Sequence, residues 1–133
     1  MLPRIYSAVS SRLPAALGIS WFSSLSQQTN MASISELVDS TIEKNRVVIF
    51  SKSYCPYCRK AKNLFAEKFP QVEPKVLELD ELDNGSAIQD YLHQKTGQRT
   101  VPNVFVESQH IGGSDDTKVA LESGKLAKLL TAA

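Results

Sequence analysis

The chain has 133 residues, 42% of them hydrophobic and 22% charged, with a formal net charge of +1. That length holds one domain and a tail and leaves little for a second core. The near-neutral balance gives no reason to expect a polyanionic partner. No apolar run is long enough to cross a bilayer as a helix, and no basic stripe with interleaved aromatics argues for nucleic acid.

From Met1 to Asn30 there is no Asp or Glu, while Arg4, Arg12 and seven serines are present. Arginine and serine without acid is the composition of an organelle transit segment. Leu2, Ile5, Val9, Leu13 and Leu17 recur at helical spacing. A secretory signal would carry an unbroken apolar core, and the stretch from Leu13 to Phe22 is interrupted by Pro14, Gly18 and Ser20. Residues 1–30 are therefore expected to be a mitochondrial targeting segment, otherwise a disordered tail, and residues 31–133 the folded domain. Met31 sits at the change of composition. A second start there would give a short cytoplasmic form beside a long mitochondrial one.

Ser33-Ile34-Ser35-Glu36 has capping-box spacing, and Ile34, Leu37, Val38 and Ile42 continue with helical period, so the domain opens on a helix. Val47-Val48-Ile49-Phe50 reads as a buried strand. A helix follows from about Pro56 to Phe69, with Ala61, Leu64 and Phe65 on one face, and Pro70 and Pro74 close it. Val76 to Leu79 is a second strand. Asn84 is placed to cap a third helix carrying Ile88, Tyr91 and Leu92 and ending at Gly97. Val104 to Val106 is a third strand, and a turn leads to a fourth around Ile111. Gly112-Gly113 breaks the pattern, Ser114-Asp115-Asp116 opens a helix, and Gly124 separates a last short one. A strand–helix–strand start implies a parallel pair with a right-handed crossover, and the later hairpin adds antiparallel strands. The fold class is α/β, a small mixed sheet flanked by helices on both faces.

The two cysteines, Cys55 and Cys58, are too few for a disulfide-stapled scaffold. A close pair can also be a local structural disulfide or two inert thiols. A structural zinc site wants about four ligands, and His93 and His110 lie at no ligand spacing, so no metal is expected. The surroundings favour reactivity. Pro56 suits a first helical turn, which puts Cys55 at a helix N-terminus where N–H groups and the dipole favour a thiolate. Lys52 and Arg59 add positive charge. Cys58 lies one turn deeper and is better shielded. Chain geometry alone separates an attacking sulfur from a resolving one.

Lys52-Ser53-Tyr54-Cys55-Pro56-Tyr57-Cys58, Thr100-Val101-Pro102 and Gly112-Gly113-Ser114-Asp115-Asp116 resemble the three signatures of dithiol glutaredoxins, over a domain running from about residue 32 to the end. The resemblance implies a thioredoxin fold with a four-stranded mixed sheet and a glutathione-dependent thiol–disulfide oxidoreductase. Glutathione is then a co-substrate that regenerates the enzyme. Its partners would be glutathionylated and disulfide-bonded proteins, with glutathione reductase acting indirectly through glutathione disulfide, and the enzyme itself a monomer. Glutathione transferase or peroxidase side activity belongs to the same expectation.

By the same resemblance Cys55 is the nucleophile and Cys58 the resolving thiol. Lys52 and Gln89 would contact the glycine carboxylate of glutathione, and Tyr57 would flank the groove. Val101, before a proline that is cis in the family (Pro102), would pair its backbone with the cysteine part. Ser114 and Asp115 would hold the γ-glutamyl end. Glutathione carries two carboxylates and one ammonium, so a lysine, a helix N-terminus and an acid are the chemically matched set. Taken singly, Ser114-Asp115-Asp116 reads as a helix cap, Lys52 as a solvated charge and Thr100-Val101-Pro102 as a strand-entry turn. Two other readings stand beside this one. A thioredoxin would generally carry Trp-Cys-Gly-Pro-Cys, and here Tyr54 precedes Cys55 and Pro56-Tyr57 separates the pair. An iron–sulfur carrier of the same family would use Cys55 as a ligand.

Overall fold

A computed structural model of the chain describes residues 31–131. The expected targeting segment, residues 1–30, lies outside the described residues. A compact unit begins at Ile34.

Helix α1 covers residues 31–44. The helix is already formed at residue 31, so Ser33 lies within it and is not its cap, contrary to the capping-box expectation. Met31 and Ala32 both favour helix, so the helical turn is present ahead of Ser33. Strand β1 (Val47–Ser51) follows, then α2 (Pro56–Lys68), β2 (Lys75–Glu78) and a 3-10 turn over Leu79–Glu81. The second strand therefore stops one residue earlier than the apolar run suggests. Leu79 stays buried but turns the chain toward α3 (Gly85–Thr96). Asn84 does occupy the N-cap position of α3, but its side chain makes no cap bond. At φ −100° and ψ 17° its backbone is outside the extended region a capping side chain needs. Gly97 ends α3 in the left-handed region at φ 83° and closes onto the His93 carbonyl. The hairpin β3 (Asn103–Val106) and β4 (Gln109–Gly112), then α4 (Ser114–Glu122) and α5 (Lys125–Thr131), complete the order read from the sequence.

The sheet runs β2-β1-β3-β4, with β1 parallel to β2 and antiparallel to β3, and β4 antiparallel to β3. Alternation along β1 explains why its run is apolar throughout. Val47 and Ile49 face a core shared with Phe65 of α2, Ala120 of α4 and Leu126 of α5. Val48 and Phe50 face the other core, with Val38 and Ile42 of α1 and Ile88 and Leu92 of α3. Phe50 meets Phe105 of β3 edge to face, centroids 5.9 Å apart. A helix layer on each side of a central strand fixes the carboxyl end of β1, and that end leads straight into the cysteine pair.

Candidate active site

Cys55 is the N-cap of α2, with Pro56 in the first helical turn and no acidic residue there. The Cys55 side chain makes no cap bond, so the first N–H groups of the helix have no oxygen partner from that position. Burial is the largest influence on this thiol and works against ionisation. The backbone N–H and thiol of Cys58, the N–H of Tyr57 and the charge of Lys52 together outweigh it and bring the pKa below its ordinary value. Of the two cations expected to help, Lys52 is the one among the leading influences.

Cys58 is fully buried. Desolvation pushes its thiol above the ordinary value, and the neighbouring Cys55 sulfur adds to this. The backbone of Lys52 and the Ser51 hydroxyl pull in the other direction without overcoming burial. Three residues apart on one helix, the sulfurs are shifted in opposite directions. One is poised to be an anion and the other to keep its proton.

Facing this helix end is a groove of about 250 Å³ lined by Tyr57, Thr100, Val101, Pro102, Gly113, Ser114, Asp115 and Asp116. The Val101–Pro102 peptide is cis. Three separate chain segments thus meet here, and of the expected residues Tyr57, Val101, Pro102, Ser114 and Asp115 are brought together. Lys52 and Gln89 do not line the groove. Lys52 stays beside Cys55 in the loop before α2. Gln89 is 8% exposed, and its Nε2 donates to the Arg99 carbonyl at 3.0 Å. What the structure shows for Gln89 is a prop under the proline loop.

Sequence reasoning missed most of that prop. Gln98 Nε2 donates to the Thr100 carbonyl (3.0 Å) and to the Pro102 carbonyl (2.9 Å). Asn103, buried at the head of β3, donates from Nδ2 to the Gln98 carbonyl at 3.3 Å. Its Oδ1 lies 2.9 Å from His110 Nε2, so that nitrogen carries the proton. Burial lowers the His110 pKa against a small opposing pull from Asp116, which suits a neutral ring in this role. Two amides hold three backbone carbonyls next to the groove, and the histidine orients one of the amides. The only sequence signal was a cluster of amide side chains around Thr100-Val101-Pro102. At the far wall, Asp116 accepts the Gly113 N–H at 3.1 Å. Gly112, at φ 123°, has no room for a side chain there, because a Cβ would fall 2.4 Å from Asp116 Oδ2.

A thiolate at a helix start, a shielded second thiol and a cis-proline groove on this sheet define a dithiol redox centre on a thioredoxin fold. Residues 47–111 match the family model described as Glutaredoxin. The chain is 57% identical to glutaredoxin-C8 of rice (Oryza sativa subsp. japonica), over 79% of this chain and 77% of that protein. It is 50% identical to glutaredoxin-1 of Rhizophagus irregularis, over 77% and 99%. The crystal structure of a buckwheat glutaredoxin–glutathione complex superposes with a TM-score of 0.72 at 40% identity, covering 77% of this chain and 91% of that one. The chain belongs to the glutaredoxin family.

Proposed function

We propose that this protein reduces glutathionyl mixed disulfides and protein disulfides through the Cys55 thiolate, with glutathione as co-substrate. The observation that carries it is the opposite shift of the two thiols at the start of α2, the helix whose Tyr57 lines the groove. In the first step the Cys55 thiolate attacks the glutathione sulfur of a mixed disulfide. A new S–S bond forms between Cys55 and glutathione, and the substrate leaves as a thiolate. Attack must fall on that sulfur, since attack on the other would leave Cys55 joined to the substrate. A second glutathione, as thiolate, then attacks the bound glutathione sulfur, releasing glutathione disulfide and restoring Cys55. For protein disulfides, Cys55 first joins the substrate and Cys58 displaces it, ending as a Cys55–Cys58 disulfide that glutathione reduces. Exchange of this kind needs an accessible thiolate and a good leaving group.

The groove supplies chemistry matched to the tripeptide. Asp116 occupies the Gly113 N–H, and the following N–H groups at the start of α4 remain for the γ-glutamyl carboxylate, with the exposed Asp115 for its ammonium. The Val101 backbone pairs with the cysteine part, Tyr57 flanks it, and Lys52 receives the glycine carboxylate. Gln89 contributes by holding the Arg99 carbonyl. Glutathione in the buckwheat complex supports this choice of ligand.

The test is turnover of a glutathionylated peptide with glutathione and its reductase. Cys55→Ser should fall to background. Cys58→Ser should keep deglutathionylation and lose most protein-disulfide reduction. Equal loss of both in Cys58→Ser would refute the division of labour.

Targeting is part of the same proposal. The acid-free, arginine- and serine-bearing residues 1–30 direct a long form to mitochondria, and initiation at Met31 leaves a cytoplasmic form carrying residues 31–133. N-terminal sequencing of the protein from separated cytosol and mitochondria decides it. One shared N-terminus upstream of Met31 in both would end the idea.

A further inference from the structure

We propose that Asp80 is a positioning residue for the dithiol centre: its carboxylate grips Ser53 and holds the loop between β1 and α2 in the shape that starts the helix at Cys55 and keeps Lys52 beside it. This rests on the function proposed above and assigns a part of the site that lies on a different element.

Asp80 sits on the 3-10 turn after β2, not on the loop it holds. Its Oδ1 accepts the Ser53 N–H at 2.9 Å and its Oδ2 accepts the Ser53 hydroxyl. Both oxygens of one carboxylate are spent on one residue, an arrangement that fixes orientation as well as distance. Ser53 and Tyr54 are exposed, Tyr54 to 69%, so packing does little to hold this stretch. Yet the stretch carries what both sulfurs need. The Lys52 carbonyl accepts the Cys55 N–H at 3.0 Å, turning the chain into the helix. The Lys52 backbone also reaches the Cys58 thiol, and its side-chain charge acts on Cys55. Ser53 therefore lies between two residues whose placement sets the centre, and Asp80 is its anchor.

A purely electrostatic role predicts the opposite sign, which makes the idea testable. A carboxylate near a thiol opposes ionisation, and Asp80 also feels Lys52. On charge alone, removing Asp80 would make Cys55 more acidic. If the carboxylate positions the loop, removing it makes Cys55 less acidic. Ser53→Ala, which changes no charge, should act in the same direction.

The experiment titrates Cys55 by thiolate ultraviolet absorbance in full-length Cys58→Ser protein carrying Asp80→Ala, Ser53→Ala, both, or Ser53→Thr. Turnover of a glutathionylated peptide is followed in parallel in the otherwise unaltered chain. Expected are a raised Cys55 midpoint in both single variants and kcat/KM lower by about fivefold, the worth of one hydrogen bond. The double variant should be no worse than the poorer single one, and Ser53→Thr should restore both readouts. A Cys55 midpoint that is unchanged or lowered in Asp80→Ala overturns the proposal, as do losses that multiply in the double variant. The titration uses no glutathione. If the midpoint moves as expected while the wild type shows no glutathione-dependent turnover, the functional reading fails and the positioning role stands.

Discussion

Two helices begin at the groove, and they treat their N-termini in opposite ways. Helix α4 starts from Gly113 with Asp115 and Asp116 in its first turn, and Asp116 reaches back to the Gly113 N–H. The Thr117 hydroxyl donates to the Gly113 carbonyl at 2.7 Å, binding the turn further. Helix α2 starts from Cys55 with no acid in its first turn and no side-chain cap. Both ends face the same physics, unpaired N–H groups and the positive end of a dipole. The first end carries its own carboxylates, one of which closes on the Gly113 N–H and leaves the later N–H groups open, while the second has no acid and leaves the dipole's attraction for a sulfur anion. The difference shows how one fold makes a helix start that carries acid and one that can favour a thiolate, by placing carboxylates in one first turn and none in the other.

The comparison can be broken most sharply at Cys55. Cys55→Ser puts a favoured N-cap where an uncapped sulfur stood. Turnover should drop to background while thermal unfolding shows stability held or raised by about 0.5 kcal/mol. A clear loss of stability would mean that α2 does not tolerate the uncapped start for chemistry's sake. At the other helix, Gly112→Ala forces a Cβ onto Asp116 from a positive φ. It should cost about 2 kcal/mol in denaturant unfolding and weaken glutathione binding with it. Asp116→Ala removes only the bond to the Gly113 N–H and should cost about 1 kcal/mol.

The smallest effect sharpens the comparison at the charge level. Because the Cys55 pKa is lowered, thiolate is lost as pH falls through it. Turnover should therefore rise with pH as a single ionisation, half complete below the ordinary thiol value of about 8.5. Arg59→Glu gives α2 the first-turn acid that α4 has, and should raise that midpoint by about half a pH unit. The raised pKa of Cys58 keeps it protonated across the same range. The pH profile should be unaltered by Cys58→Ser apart from the modest help Cys58 gives its neighbour.

Much of the fold was legible because β1 is apolar on both faces and the helices between strands carry one-sided apolar spacing. Element order, the central strand and the hairpin follow from that periodicity. The misreadings were at ends. Ser33 has the spacing of a cap but sits inside a helix, and Leu79 has a strand's character but serves the core from a turn. Burial of a residue and the state of its backbone are separate decisions, and hydrophobic pattern reports only the first.

The sequence by itself determined the reactive pair, because a cysteine before a proline at a strand-to-helix junction acquires its chemistry from the local backbone. Which segments carry the groove came from the resemblance of Thr100-Val101-Pro102 and Gly112-Gly113-Ser114 to the family signatures, since read locally they are only a turn and a helix cap. Only the tertiary structure decided which side chains support them. Asp80 lies 27 residues from Ser53 in the chain and 2.9 Å from its N–H in the fold. Gln89, expected at a ligand carboxylate, is tied by its Nε2 to the Arg99 carbonyl ten residues on, a bond the sequence did not indicate. Hydrogen bonds between distant segments depend on how two layers of helices dock on one sheet, and no spacing along the chain encodes that geometry.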